Sequence, residues 1–206
     1  MFVITADQRD SRSGDDLVPK AIDDVVRLAG IRATSTPERT AGDELQVADR
    51  DADAVLAIVL HLTRLGTWSV GVGIGAVEAP LPASVRAGRG EAFVYARDAV
   101  ERAKRTPTRL AVTGSDEAAT DAEALVRLMV ELRDRRTAEG WEVYDLLADG
   151  MSQRDAAKRL GITEGAVSLR AKAAGLRAEE GALPALGRVL AGADKPDGDG
   201  DGDGAA

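Results

Sequence analysis

The chain has 206 residues and no cysteine, and its 35 acidic side chains outnumber 27 basic ones, which gives a formal net charge of −8 at pH 7. Hydrophobic residues make up 44% of the chain, enough for a folded core, whereas aromatic residues make up only 3%. This composition excludes disulfides, thiolate metal sites and cysteine nucleophiles, and the single histidine, His61, excludes a histidine-rich metal site. The scarcity of aromatic residues also argues against a base-stacking surface for single strands.

The N-terminal segment and the hydropathy pattern predict a cytoplasmic protein with no membrane partner. Residues 1–10, MFVITADQRD, lack the basic start of a signal peptide and become charged at once. No apolar run is long enough to cross a bilayer. A cytoplasmic location is therefore the default expectation.

Residues 1–116 are predicted to form an α/β (α+β) domain in which strands and helices alternate. Predicted strands cover 3–7, two short stretches of 37–49 joined by a tight turn at Gly42–Asp43, 68–77 and 109–113. Predicted helices cover 17–29, 51–65 and 90–104. The order is βαββαβ followed by αβ, which is the split-βαβ, ferredoxin-like arrangement with one extra unit.

Two aspartates in this domain are candidate metal ligands. Asp7 ends the first predicted strand, and Asp43 lies in the predicted hairpin turn. Two carboxylates on adjacent strands can hold Mg²⁺ together with a triphosphate. The alternative is structural, because aspartate is common at strand ends and turns, where it makes local hydrogen bonds.

A candidate phosphate-binding segment comes before the third predicted helix. Arg86, Arg89 and the exposed amides near Gly90 are suited to phosphate, and a solvated loop is the alternative. The strand SVGVGIGAV carries three alternating glycines over residues 71–75. These glycines either admit a nucleotide or let a helix pack closely, and the second interpretation is favoured.

Together these elements resemble the palm-type catalytic domain of class III nucleotidyl cyclases and GGDEF proteins. VITAD places Asp7 at the first metal position, RTAGDE places Asp43 at the second, and SVGVGIGAV followed by GRGEAFVYARDAVERAK is similar to the glycine-rich strand and its helix. The resemblance implies Mg²⁺ and a nucleotide ligand. Val94 and Asp98 stand where that family's helix carries an asparagine and an arginine, with Arg97 one residue away, so a degenerate, nucleotide-sensing domain is expected.

The second half of the chain is predicted to be helical. Residues 117–136 are expected to form a connecting helix or a dimer seam, and 137–192 an all-α domain. This domain contains predicted helices at 140–148, in the motif 152–176, and over 183–192. The last segment, 193–206, is rich in aspartate and glycine and is predicted to be a disordered acidic tail, with competition for the basic motif as the alternative.

Residues 152–176 predict a helix-turn-helix. Ser152 is a suitable N-cap for the first helix, Gly161 can adopt the left-handed conformation of the turn, and Thr163 caps the second helix. Val167 and Ala171 are four residues apart and are expected to face the partner helix. The alternative is an ordinary helical hairpin.

In such a motif, the N-terminal half of the second helix lies against base edges of double-stranded DNA. The residues expected to face the groove are Thr163, Glu164, Gly165, Ser168 and Lys172. Gln153 and Arg170 are expected to hold phosphates. Residues 150–190 carry seven basic and four acidic side chains, so a basic segment stands in an acidic chain, as is typical of DNA-binding modules.

Over about residues 1–190, the chain is similar to the SatD-like family of bacterial proteins. ITADQRDSR supplies Asp7 followed by Ser11 and Arg12, and Ala166 to Arg170 match an AVS-x-R segment. This resemblance implies a DNA-binding or regulatory role. The sequence therefore predicts a homodimeric, sequence-specific transcription regulator; a metal-dependent nucleotidyl cyclase-type enzyme targeted by its C-terminal domain, and a protein-interaction module, are the alternatives.

Overall fold

A computed structural model describes residues 1–30, 34–40 and 42–194. In this part of the chain there are five strands and eight α-helices. The strands are β1 (Phe2–Gln8), β2 (Glu38–Arg39), β3 (Glu44–Asp49), β4 (Trp68–Ile74) and β5 (Leu110–Thr113). The helices are α1 (Val18–Ala29), α2 (Ala52–Arg64), α3 (Glu91–Ala103), α4 (Glu117–Asp134), α5 (Ala138–Ala148), α6 (Gln153–Leu160), α7 (Glu164–Ala173) and α8 (Leu176–Ala193).

The protein is a mixed α/β structure built on one five-stranded sheet. The strand order is β2-β3-β1-β4-β5, so β1 lies at the centre and is antiparallel to both neighbours, whereas β5 is parallel to β4. The predicted order of strands and helices in residues 1–116 is confirmed, including the hairpin turn, where Gly42 has a φ of 58°. Within the described residues, no helix combines the length and apolarity needed to cross a bilayer.

The two faces of the sheet differ in side-chain size. One face carries large apolar residues, among them Phe2, Ile4 and Leu45, which pack against α1, α2, α4 and α8. On the opposite face α3 lies close to the backbone of β4 at Gly71 and Gly73. A Cβ on Gly71 would lie 2.2 Å from the backbone nitrogen of Val100, and one on Gly73 only 2.1 Å from the carbonyl oxygen of Ala92. These two glycines therefore serve helix packing, as the favoured interpretation predicts.

Two predicted boundaries are wrong. The strand predicted over 68–77 ends at Ile74, because its partner β1 begins at Phe2, directly opposite Ile74. The last helix begins at Leu176 rather than near residue 183, and Pro184 lies inside it. Proline suits the first turn of a helix, which is why the sequence places the start there. In the structure the helix begins about two turns earlier, where Glu179 forms ion pairs with Arg133 and Arg136.

Helices α4 and α8 contribute to the core of the sheet. Val126 and Met129 of α4, and Leu186 and Leu190 of α8, belong to the same buried cluster as the strands. The sequence instead assigns 117–136 to a connector and 183–192 to a separate helical domain. Of the predicted tail 193–206, Ala193 ends α8 and is buried, Asp194 caps that helix, and 195–206 lie outside the described residues.

Candidate functional site

Helices α6 and α7 form a hairpin with the local structure that the sequence predicts. The hydroxyl of Ser152 accepts a hydrogen bond from the amide of Asp155 at 3.1 Å, and that of Thr163 accepts one from Ala166 at 3.1 Å. Gly161 has a φ of 66° and a ψ of 30°, the left-handed conformation. Both N-caps and the glycine turn are thus confirmed.

The inner side of this hairpin packs on α5. Ala156, Ala157 and Val167 are buried in one cluster with Val143 of α5, and Ala171 packs against the cluster as a half-buried residue. The predicted inward orientation of Val167 and Ala171 is confirmed. Small residues on α6 let the two helices approach closely.

The outer side of α7 is open to solvent. Glu164, Gly165, Ser168 and Lys172, all of which the sequence predicts to face DNA, are exposed along one side of the helix. Thr163 and Gln153 are exposed as well. Sequence reasoning missed Leu169, whose exposed fraction is 70%. Its position, four residues after Gly165, was the available signal that it belongs to this outer side.

Arg170 differs from the other predicted DNA-facing residues. It is half-buried and points toward α5, where its Nη1 lies 3.5 Å from Oε2 of Glu142. Its predicted role, to hold a phosphate, requires it to exchange this carboxylate for the nucleic acid.

Several cations lie on α6, on α7 and at the start of α8. Lys158 is paired with Asp155 at 3.4 Å, and hydrogen bonds from Ser152 and Lys158 hold the pKa of Asp155 below its ordinary value. Within the described residues, Arg154, Arg159, Lys172 and Arg177 have no carboxylate within ion-pair distance. A groove of about 770 Å³ brings together Gln153, Ser168, Lys172 and Arg177. Glu180 adds one carboxylate to these two cations, and apolar residues of α5 and α8 complete the lining.

The two candidate metal ligands lie in another pocket, at the end of β1. Asp7 and Asp43 line a space of about 500 Å³, which we call the β1 pocket. The backbone amide of Gln8 donates to the carbonyl of Asp43 at 3.0 Å, which brings the hairpin turn against the strand end. The structure therefore places the two aspartates together, as their positions in the sequence predict.

The carboxylates of the β1 pocket are already engaged by other groups. Nζ of Lys104 lies 3.1 Å from Oδ2 of Asp7, and the hydroxyl of Ser11 donates to Oδ2 of Asp43. Burial alone would lower the pKa of Lys104, but hydrogen bonds to Glu101 and Asp7 outweigh it and raise that pKa. Lys104 therefore remains a cation at neutral pH.

The side chains as arranged fit Mg²⁺ poorly, since Asp7 and Asp43 would have to exchange their present partners for it. No cluster of three or more Asp, Glu, His or Cys side chains able to hold a metal occurs in the described ranges. Four cations, Arg9, Arg12, Lys104 and Arg109, line the β1 pocket together with three carboxylates, Asp7, Asp10 and Asp43. The excess of one positive charge favours an anion. Lys104 was missed from the sequence because it follows Asp7 by 97 positions, and only the fold brings them together.

The predicted phosphate-binding residues lie at the opposite end of the sheet. Gly90 caps α3 beside the end of β4, where the amide of Ala92 donates to the carbonyl of Ala76. Strand β1 runs antiparallel to β4, so this end lies near Phe2 rather than Asp7. The five residue steps along β1 from Phe2 to Asp7 span about 17 Å. Arg86 and Arg89 are exposed on the loop before α3.

The three α3 positions compared with the cyclase helix are also away from the β1 pocket. Val94, Arg97 and Asp98 are exposed on the outer side of α3, and none of them lines the pocket. Comparisons of the chain with known protein families, with characterised proteins and with solved structures give no match.

Proposed function

We propose that this protein is a sequence-specific DNA-binding transcription regulator. The observation that carries the proposal is the exposed polar side of α7, which lies beside cations that have no carboxylate partner among the described residues. A helix held by caps and by one buried side chain, with its other side free, is suited to the major groove.

Different residues of the hairpin would have different roles on DNA. Ser168 and Glu164 lie on the outer side of α7 and would contact base edges, whereas Lys172 and Arg177 would neutralise phosphates. Leu169 adds an exposed apolar side chain suited to a thymine methyl group. One hairpin of this size contacts few base pairs. We therefore propose a homodimer on two half-sites about one helical turn apart.

Salt-dependent binding to a labelled duplex tests this proposal. We expect affinity to fall steeply with salt, and the double variant Lys172→Ala/Arg177→Ala to flatten the log–log slope by up to about 2. The matched control, Arg50→Ala/Arg105→Ala, removes the same charge from exposed positions of the sheet domain and should leave the slope unchanged.

Selection of duplexes from a random library tests specificity. A consensus with two half-sites, relaxed at one position by Ser168→Ala, would support base readout and the dimer. Absence of duplex binding in dilute buffer, or equal slopes for the two double variants, would overturn the proposal.

We also propose that the sheet belongs to the ferredoxin-like, palm-type class and that the chain is SatD-like. The order β2-β3-β1-β4, with β1 antiparallel to both neighbours, is the order that a split βαβ connection produces, and β5 adds an edge strand. The three residues that carry the SatD-like resemblance, Asp7, Ser11 and Arg12, line one pocket, which supports that assignment.

The β1 pocket is proposed to sense a nucleotide. Its four cations suit phosphate oxygens. Incubation with ATP or GTP and Mg²⁺ or Mn²⁺ tests this. Binding without turnover, weakened by Lys104→Ala, supports a sensor. Turnover abolished by Asp43→Ala would replace the sensor with the alternative, a nucleotidyl cyclase-type enzyme.

A further inference from the structure

A cavity of about 470 Å³ opens between α2 and α8; it shares Tyr144 with the groove beside α7 and no residue with the β1 pocket. We call it the α2–α8 cavity. Its residues on α2 lie at positions 53, 56, 57, 60, 61 and 64, a spacing that places them on one side of the helix. Helix α8 provides the opposite wall through Glu179, Leu183 and Pro184. Its volume lies within the range of small-molecule sites in proteins.

The middle of the cavity is aliphatic. Leu56 and Leu60 of α2 are almost fully buried and form its floor, and Leu183 and Pro184 of α8 face them. Ala57 is half-buried and leaves space between these side chains. An occupant must therefore have an apolar body.

One end of the cavity is cationic. Arg64 and Arg133 line it, and Arg136 lies next to them around the ring of Trp141. The distance from Cζ to the centre of that ring is 3.9 Å for Arg64, 4.9 Å for Arg133 and 4.8 Å for Arg136. Cations at these distances are stabilised by an aromatic face.

The carboxylates at this end do not balance the arginines. Glu179 is shared by Arg133 and Arg136, and Arg64 makes two hydrogen bonds to Asp145, at 2.6 and 2.8 Å. Within ion-pair distance, three guanidinium groups thus meet two carboxylates, an excess of one positive charge, and Asp134 lies beyond that distance from Arg133. Arg133 is about nine-tenths buried, and its Nε has no acceptor among the described residues. That Nε is closed to solvent, so a ligand at this end would be held by the positive charge of the arginines rather than by this donor.

The other charges near the cavity fix the orientation of an occupant. Asp53 lies at the opposite end, eleven residues before Arg64 on the same helix, which corresponds to about 16 Å. His61 is engaged by Oδ2 of Asp24 at 3.1 Å from its Nε2. The negative group of a ligand therefore belongs at the arginine end.

We propose that the α2–α8 cavity binds a small aliphatic carboxylate, with its carboxylate at Arg64 and Arg133 and its hydrocarbon body between Leu60 and Leu183. The proposal of this ligand site does not depend on whether the protein binds DNA. Its coupling to DNA rests on the proposed function: the cavity is lined by Tyr144 of α5 and Glu179 of α8, and both helices pack against α7. An occupant would touch the two elements that position α7.

Calorimetric titration with decanoate, decanol and decylammonium tests the site, with Trp141 fluorescence as a second readout. We expect decanoate to bind at least about tenfold more tightly than decanol, because a hydrogen bond to a charged group contributes on this scale. Decylammonium should bind most weakly. Arg64→Gln should reduce decanoate affinity to that of decanol and leave decanol unchanged.

Variants that fill the cavity distinguish binding inside it from binding elsewhere on the surface. Ala57→Leu and, independently, Leu183→Phe should weaken both decanoate and decanol, whereas Ala185→Leu, at an exposed position of α8 outside the cavity, should change neither. Thermal melting checks that each variant is folded. Equal affinity for the three probes, no binding of decanoate, or unchanged binding in both filling variants would overturn the proposal.

Coupling to DNA is tested separately, by duplex binding with and without decanoate. A change in duplex affinity of about threefold or more, absent in Ala57→Leu, would support coupling. Decanoate binding without this change would overturn the coupling and leave the ligand site in place. Loss of duplex binding with decanoate binding intact would overturn the proposed DNA function alone.

Discussion

The sheet domain and the α6–α7 hairpin are held together by different kinds of contact. In the domain, α3 touches the backbone of β4 at Gly73, so closely that one added carbon atom would overlap it. In the hairpin, hydroxyl caps and a small buried cluster of Ala156, Ala157 and Val167 hold two short helices, and most of α7 stays exposed. The domain therefore restricts its residues by packing, whereas the hairpin leaves its outer surface free to carry a binding specificity.

The largest loss of stability is expected from a substitution at Glu179, where the sheet domain and the helices around the hairpin meet. Glu179→Gln leaves Arg133 and Arg136 buried without a carboxylate, so the free energy of unfolding should fall by about 3–5 kcal/mol. Urea denaturation measures it. The neighbouring exposed variant, Glu180→Gln, is the control. A loss no greater than the control's would show that the buried ion pairs do not join the regions.

The next effect contrasts two glycines. Gly73→Ala should destabilise the protein by about 1–3 kcal/mol or more, because α3 has to move away from β4. Gly165→Ala on α7 meets its nearest atom at 3.9 Å, and should stabilise the protein by up to about 1 kcal/mol through helix propensity. Thermal or urea unfolding of both variants checks the signs. The same sign for both would remove the contrast between the regions.

A smaller loss of stability is expected when the N-cap of α7 is removed. Thr163→Ala should cost about 1 kcal/mol, because the amide of Ala166 loses its acceptor. Hydrogen exchange should become faster in α7 and remain unchanged in β1. Thr163→Ser, which retains the hydroxyl, should restore protection. Equal acceleration in β1 would mean that the hairpin does not open by itself.

The smallest effect is a pH dependence in the sheet domain. Burial would raise the pKa of Asp24, but hydrogen bonds from Lys20, His61 and Arg27 outweigh it and hold that pKa below its ordinary value of 3.8. The resulting stabilisation is present above about pH 4 and is lost as the pH falls through the lowered pKa. We expect a contribution of less than about 1 kcal/mol.

Asp24→Asn should remove this part of the acid dependence, measured as the free energy of unfolding at pH 3 and pH 6. Glu180→Gln, which replaces an exposed carboxylate, is the control. An acid dependence in Asp24→Asn equal to that of the parent protein would contradict the role assigned to Asp24.

The sequence predicts those parts of the fold that depend on neighbouring residues. Ser152, Gly161 and Thr163 act within a few positions of themselves, so their types are sufficient to locate caps and a turn. The pairing of Asp7 with Lys104, and of Glu179 with Arg133, joins residues far apart in the chain. Residue types alone do not specify such contacts.

The charge counted over residues 150–190 also shows that residue types alone do not specify contacts between distant parts of the chain. Counted along the chain, Glu179 reduces the positive charge of residues 150–190. In the structure Glu179 is buried against Arg133 and Arg136, at the end of α4 and just after it, and does not face the outer side of α7. The roles predicted for Ser168 and Lys172 stay predictions, but the exposure they require is present.

Helix α8 is one continuous rod that begins directly after α7 and ends beneath the sheet, where Leu190 is buried. Its 18 residues measure about 27 Å. Glu179, in its first turn, and Leu190, near its last, are both buried, so the helix is held at both ends. A displacement of one end is therefore passed to the other. In the homodimer proposed above, it would change the distance between the two α7 helices and with it the preferred spacing of half-sites.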